Sequence, residues 1–288
     1  MSVSVVIPAY NEAGAVAETV GAVRATLAEA GIHDFEVVVV DDGSADRTAQ
    51  EAADAGARVI VNVHNLGYGA SLKRGIAAAN NDTIMIIDAD MTYPVEAMPE
   101  LIALYQKGFD MVVAQRTGTH YEESWFKHGF RLILKWLVEF TAGRKIPDIN
   151  SGLRIFSKKT IGGFFPHLCD TFSFTTSVTL GYMMTGKFVT YLPVSYAERR
   201  GRAKVRLFRD SMRTLQYIVE AILYYNPVKI FIVLAGFLIA LAFISFVIAF
   251  ATQLLVFYVL GVGALLFTPL IFALGLLAML LKQILAEA

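Results

Sequence analysis

The stretch Ile84-Met85-Ile86-Ile87-Asp88-Ala89-Asp90 decides how this chain folds: an apolar run fit for a protein core ends in two carboxylates one residue apart. In a strand, side chains at i and i+2 share a face, so a strand from Thr83 to Asp88 whose geometry persists would bring Asp88 and Asp90 to one point. Two like charges that close need a cation. Hard oxygen ligands suit Mg2+ or Mn2+, which bridge to substrate phosphates and can neutralise a departing diphosphate. The same residues could also do no more than turn the chain after a strand.

Around this stretch, short apolar runs at Val3 to Ile7, Val37 to Val40, Arg58 to Val61 and Asp110 to Ala114 alternate with Ala-rich helical stretches. Such alternation predicts an α/β fold, a mostly parallel sheet with flanking helices, and ligands at the carboxyl ends of its strands. Those ends carry Pro8-Ala9-Tyr10-Asn11-Glu12, Asp41-Asp42-Gly43-Ser44 and Asn65-Leu66-Gly67-Tyr68-Gly69. Asn11-Glu12 could simply open a helix, and Ser44 could cap one. Asp41 and Asp42, adjacent at a strand end, repel unless a ribose, base or cation is present. The Gly67/Gly69 loop, followed by Lys73 and Arg74, would let the backbone approach a diphosphate, although it is neither a Walker nor a dinucleotide fingerprint.

The chain has 288 residues, of which 56% are hydrophobic, and a mean hydropathy of +0.54, too apolar for an ordinary soluble enzyme. Its 25 basic and 25 acidic residues cancel, giving no hint of nucleic acid as a partner. The single cysteine, Cys169, excludes an intramolecular disulfide and reads as a packing residue. The first residues lack a basic leader and read as a first strand. Ile230 to Phe250 is a run of 21 residues without a charge, and Leu254 to Leu281 follows after only Ala251-Thr252-Gln253. These runs predict a transmembrane hairpin, with Pro269 bending its second helix. Basic residues at its ends, Lys282 among them, place the catalytic domain and both termini in the cytosol by the positive-inside rule.

Three further segments bear on a membrane. Trp125 to Phe140 mixes aromatic and basic residues at helical spacing, as in a helix lying on a bilayer, though a helix packed on the sheet would serve as well. Leu207 to Tyr225 is amphipathic and ends at Asn226-Pro227, a break before the membrane. Arg199, Arg200, Arg202, Lys204, Arg206, Arg209 and Arg213 stand against one acid, Asp210. That cluster points to anionic phosphates of lipid, acceptor or donor.

Four motifs in order, V-V-I-P-A-Y-N-E, V-V-V-D-D-G-S-A-D-R-T, N-L-G-Y-G-A-S-L-K-R-G and I-I-D-A-D, resemble the family-2 glycosyltransferases with the GT-A-type fold, over roughly residues 3 to 207. The resemblance implies a nucleotide-sugar donor, its nucleoside cradled by Pro8, Tyr10, Glu12, Asp41 and Asp42, with Asp88 and Asp90 at the metal and diphosphate. Asn11, Gly67 and Lys73 complete the expected donor set. Family members often place a glutamine two residues after the motif, where Thr92 offers a shorter, weaker metal ligand. Pro147 to Phe156 resembles the D-x-x-S-G-[FL]-R stretch of the polyprenyl-phosphate glycosyltransferase and dolichol-phosphate mannose synthase group. In a transfer to such an acceptor Asp148 is expected to orient the attack or accept a residual proton. Arg116, Ser151, Arg154, Arg199 and Lys204 would then hold the acceptor phosphate, unless Arg154 is a structural ion-pair partner. Arg199, Gly201 and Lys204 match the family's R-x-G-x-S-K loop, with Ala203 in place of the serine.

The expected organisation is a catalytic domain over 1–207 with an acceptor loop at 196–206, an amphipathic helix over 208–227, and a hairpin over 228–288 with spans of about 230–250 and 254–281. The expected activity is that of an inverting, metal-dependent glycosyltransferase moving one sugar from a nucleotide sugar to a polyprenyl phosphate. Two alternatives stay open: a processive polysaccharide synthase, whose Q-x-x-R-W stretch and multiple spans are not found here, and a non-catalytic nucleotide-sugar-binding membrane protein. Oligomeric state is not fixed by the sequence.

Overall fold

Valine-rich runs make the strands because β-branched side chains fit a pleated surface, and runs apolar on both faces belong in the middle of a parallel sheet. The computed structural model describes residues 1–117, 136–197 and 207–287. They fall into two compact units, Met1–Tyr217 and Ile218–Ala288. The first holds seven strands: β1 (Val3–Ala9), β2 (Phe35–Asp41), β3 (Arg58–Val61), β4 (Thr83–Ile86), β5 (Met111–Thr117), β6 (Arg154–Ser157) and β7 (Val189–Ser195). Their order across the sheet is β3-β2-β1-β4-β6-β5-β7. The mostly parallel GT-A-type sheet is therefore as expected.

Alternate residues of each strand enter opposite cores. Val5, Ile7, Val37, Val39 and Met85 pack with Val16, Val20, Val23 and Leu27 of helix α1 (Val16–Glu29) on one face. Val6, Val38, Val40, Ile84 and Ile86 meet Leu72 and Ile76 of a second helix (Tyr68–Ala78), along with Phe174 and Val178 of the helix Phe174–Met184, on the other.

Two differences from the sequence reading matter for the site. First, β6 is an unexpected strand that runs antiparallel between β4 and β5, Arg154 lying opposite both Ile86 and Val113. Its amino end thus joins the edge formed by the carboxyl ends of the parallel strands. Second, β4 stops at Ile86 rather than Asp88. Asp88-Ala89-Asp90 lies in a turn, and Met91 takes a left-handed φ of 58°. The same-face argument, which needed a continuing strand, does not hold for Asp88 and Asp90.

In the second unit, the helices Pro227–Thr252 and Leu255–Glu287 form the expected pair of long apolar helices. Gln253, at a left-handed φ of 57°, ends the first of them. Each is long and apolar enough to cross a membrane, with hydropathy 3.0 and 2.5. Side chains such as Phe243, Phe250, Leu255 and Leu266 remain 69–77% exposed, as suits a lipid solvent rather than a protein core. Lys282 Nζ donates to the Tyr225 carbonyl at 2.6 Å, closing the base of the hairpin. Pro269 lies inside the second helix, which continues past it.

Gly75 is where the Tyr68–Ala78 helix touches the sheet: a Cβ there would come within 2.4 Å of Val6 Cγ1 and 2.8 Å of Val40 Cγ2. Overpacking of this kind costs about 1–3 kcal/mol. A Gly75→Ala variant is expected to lose that much unfolding free energy and so to unfold at a lower denaturant midpoint than wild type, measured by circular dichroism on the detergent-solubilised chain.

Candidate active site

The site edge is assembled from loops that follow β1, β2, β3, β4 and β5 and from the turn that precedes β6. Pro8 lies near the end of β1, and the exposed Tyr10 and Asn11 follow it. Asn11, at φ 49°, is fixed by backbone contacts to the next loop: its N–H donates to Ser44 Oγ and its Oδ1 accepts from the Ala45 N–H, both at 2.9 Å. Glu12 N–H donates to Thr48 Oγ1 at 2.9 Å. These bonds bring the first two expected donor segments side by side.

Asp41 and Asp42 do not simply face outward. The Asp41 carboxylate accepts from the Ser44 hydroxyl and, at 3.3 Å, from its N–H. Asp42 Oδ1 accepts from Asn62 Nδ2 at 2.7 Å and from the Leu66 N–H at 2.9 Å, while Oδ2 takes the Gly67 N–H at 2.9 Å. Both carboxylates are buried, and Asp42 in particular spends its oxygens shaping the loop after β3.

That loop has a second anchor which the sequence did not reveal. Lys73 Nζ, expected at the donor, donates to Asp170 Oδ1 at 2.7 Å and to the Leu168 carbonyl at 2.5 Å. A side chain at Gly67 would meet the Asp170 carbonyl oxygen at 2.7 Å, and one at Gly69 the Cys169 oxygen at 2.2 Å. Glycine is required here for close approach to residues 169–170. Tyr68, between the two glycines, stacks on Phe172 with ring centroids 5.8 Å apart and donates its hydroxyl to Asp88 Oδ1 at 2.9 Å. Burial first, then the neighbouring Asp88 carboxylate, pushes the Tyr68 phenol well above its ordinary pKa, so it acts as a donor.

Asp88 is half-buried and Asp90 buried. Asp90 Oδ1 accepts from the Thr92 hydroxyl at 2.6 Å and from its N–H at 3.3 Å. Thr92, considered as a weak metal ligand, is fully buried and serves as a brace for Asp90. Asp88 lies against Gly152, where a Cβ would come within 2.3 Å of Oδ2. Among the described residues no three His, Cys, Asp or Glu side chains gather as a metal cage. Two carboxylates in one turn offer the hard oxygen ligands that a Mg2+-type ion takes while completing its shell with donor phosphate and water.

The turn before β6 is held from below. Arg154 is fully buried, and its five N–H groups go to the carbonyls of Ser151 (3.0 and 2.6 Å), Ile149 (3.5 Å) and Thr175 (3.1 Å) and to Thr179 Oγ1 (3.0 Å). The expectation that Arg154 binds an acceptor phosphate is therefore corrected: its donors are spent inside the protein. Ser151 is also fully buried, its hydroxyl turned to the Leu153 carbonyl at 3.4 Å. Asp148 forms a two-pronged pair with Arg116, Oδ2 to Nε at 2.7 Å and Oδ1 to Nη2 at 2.8 Å, and also accepts the Asn150 N–H at 3.1 Å. Burial raises the Asp148 carboxyl, but the hydrogen bonds and charge of Arg116 outweigh it and hold the pKa below the usual range. Such a carboxylate is a poor proton acceptor. The Arg116 guanidinium also lies 5.4 Å from the centre of the Tyr196 ring. Arg199 and Lys204, the acceptor loop beyond Ala197, and residues 125–135 of the expected interfacial helix lie outside the described residues. Trp136 and Phe140, at the end of that segment, stack at 5.4 Å and are exposed.

A parallel α/β sheet with paired carboxylates and backbone-lined loops at its carboxyl edge is the layout of a protein that takes a phosphorylated ligand there. Residues 4–165 match the family model "Glycosyl transferase family 2", and the chain belongs to that family. It is 28% identical over 257 residues to the undecaprenyl-phosphate 4-deoxy-4-formamido-L-arabinose transferase of Enterobacter sp. (strain 638), covering 84% of this chain and 73% of that one. The transferase of the same description from Klebsiella pneumoniae is 29% identical over 273 residues, covering 87% and 78%. Among solved structures, glucosyl-3-phosphoglycerate synthase from Mycobacterium tuberculosis in complex with Mn2+, uridine diphosphate and phosphoglyceric acid shares the fold. Its TM-score is 0.63 at 20% identity, over 76% of this chain and 78% of that one.

Removing one partner of a buried ion pair costs about 3–5 kcal/mol. Asp148→Asn is expected to lower stability at pH 7 by that order. Because the folded Asp148 pKa is depressed from 3.8, the pair's contribution is complete above about pH 4 and is lost as pH falls through the lower folded value. The gap between wild type and variant should therefore close in acid, which denaturation curves at stepped pH will measure.

Proposed function

We propose that this chain is a membrane-bound inverting glycosyltransferase that moves a single sugar from a nucleotide sugar to the phosphate of a polyprenyl phosphate. One observation carries the reading. Its similarity to undecaprenyl-phosphate sugar transferases covers 84–87% of the chain, a share that the first 217 residues cannot fill, so the likeness runs on into the apolar hairpin. A donor site joined to such a hairpin suits an acceptor whose phosphate sits at a bilayer surface and whose tail lies in lipid.

In the reaction, an oxygen of the acceptor phosphate attacks the sugar C1 from the face opposite the leaving group. The bond from C1 to the nucleoside diphosphate breaks with its electron pair, and the anomeric centre inverts. The acceptor phosphate is already anionic near neutral pH, so no strong general base is required, in keeping with an Asp148 held ionised by Arg116. Pro8, Tyr10, Asn11 and Glu12 line the nucleoside side, while Asp41 and Asp42 hold the loops that complete it. Asp88 and Asp90 would hold Mg2+ or Mn2+, which supplies charge neutralisation for the leaving diphosphate. Arg116, with Arg199 and Lys204 of the acceptor loop, receives the acceptor phosphate, where proximity and charge balance lower the barrier. Residues 1–207 form the catalytic domain, 208–227 a juxtamembrane helix and 228–288 the membrane hairpin. Lys229 and Lys282, near the chain ends of the two spans, put that domain and both termini in the cytosol.

Purified full-length protein, incubated with labelled nucleotide sugars, Mn2+ and undecaprenyl phosphate, is expected to yield a lipid carrying one sugar. A long polymer, transfer to a soluble phosphate such as 3-phosphoglycerate but not to lipid, or nucleotide binding without turnover would each overturn the proposal. In the same assay Asp90→Ala should lower turnover by about 10²–10³-fold, the scale of losing a group that stabilises developing charge.

A further inference from the structure

We propose that Tyr68 is a positioning residue: its hydroxyl, acting against the bare Cα of Gly152, fixes the Asp88 carboxylate in the orientation from which it would hold the donor's divalent cation. The inference rests on the reading of Asp88 as a metal ligand given under Proposed function.

The tyrosine is placed by contacts that owe nothing to Asp88. Its ring stacks on Phe172 at an interplanar angle of 18°. The backbone on either side is pinned by the Cys169–Asp170 segment: the Ala70 N–H donates to the Asp170 carbonyl at 3.0 Å, and Lys73 grips the Asp170 carboxylate at 2.7 Å. The hydroxyl therefore arrives at Asp88 Oδ1, 2.9 Å away, as a fixed donor. On the opposite side Gly152 is equally fixed. Its N–H donates to the buried Tyr93 hydroxyl at 2.6 Å, and its neighbour Ser151 is held by Arg154. A Cβ on Gly152 would come within 2.7 Å of Asp88 Oδ1 and 2.3 Å of Oδ2.

Asp88 lies beyond the last residue of β4, where no strand ladder aims its side chain. Outer partners that orient a metal-binding carboxylate matter nearly as much as the ligand itself, and their loss typically costs about 10–100-fold in metal affinity or activity. Tyr68 and Gly152 supply that orientation from two other loops.

The test is Mn2+ binding to the full-length chain, followed by the paramagnetic resonance of free Mn2+, with and without uridine diphosphate. Tyr68→Phe keeps the ring stack and removes the hydroxyl. It is expected to raise the Mn2+ dissociation constant by about 10–100-fold, to keep a near-wild-type thermal midpoint, and to have no further effect when added to Asp88→Asn. Gly152→Ala, which leaves the tyrosine in place and crowds the carboxylate, should weaken Mn2+ binding as well. Unchanged Mn2+ affinity in Tyr68→Phe or in Gly152→Ala, or an equal loss from Tyr68→Phe in the Asp88→Asn background, overturns the positioning role while leaving the metal site standing. Wild-type protein that binds no Mn2+ under either condition overturns the metal reading of Asp88 and Asp90 itself, and this inference with it.

Discussion

A guanidinium buried with no direct carboxylate partner among the described residues sets the terms for the middle of this sheet. Leaving even one N–H of Arg154 unmet would cost on the order of 1–3 kcal/mol or more, since the group is charged and cut off from water. The chain meets that demand by folding the carbonyls of Ile149 and Ser151 back over the side chain and by presenting Thr175 and Thr179 from a neighbouring helix. The tight turn before β6 is thus a solvation shell made of backbone. Everything carried on that turn, from Asp148 to the bare Cα of Gly152, inherits its position from this demand.

The same economy runs along the whole site edge. Asp42 gives its oxygens to Asn62 and to two backbone N–H groups, and Asp148 gives its own to Arg116 and Asn150. These carboxylates are framework: Asp148 is paired with the Arg116 cation, and Asp42 is solvated by neutral amide donors. Asp88 is half-buried and accepts the Tyr68 hydroxyl, a donor delivered from the loop after β3.

Much of the fold was legible because buried parallel strands must be apolar on both faces, and few other segments can be. The limit shows at β6, which has only Ile155 and Phe156 as a central apolar pair and begins with an arginine. Nothing local in such a run signals a strand, and only its ladders to β4 and β5 create one. At the site, sequence located the loops well and the duties of their side chains poorly. Lys73 and Arg154 look like phosphate ligands until their partners are known, and Asp170 lies 97 residues from the lysine it binds. Tyr68 carried a faint signal, an aromatic ring between two glycines at the mouth of a helix, but its target became visible only with the turn after β4 in place.

The antiparallel insertion of β6 has a consequence for the order in which the molecule can be made. Among the described residues β1, β2, β3 and β4 pair with one another before β6 exists, so a four-stranded sheet can form early in synthesis. Among the described residues β5 has no such option. Its ladders among the described residues are to β6 and β7, both of which follow it in the chain. The apolar run Met111–Ala114 must therefore wait unpaired, beside an open edge of β4, until Arg154–Ser157 leaves the ribosome and joins the two. For that interval the nascent chain carries two unsatisfied sheet edges, the kind of surface on which proteins mispair with copies of themselves. The short strand that closes the catalytic edge is thus also the clasp that ends the most vulnerable stage of folding.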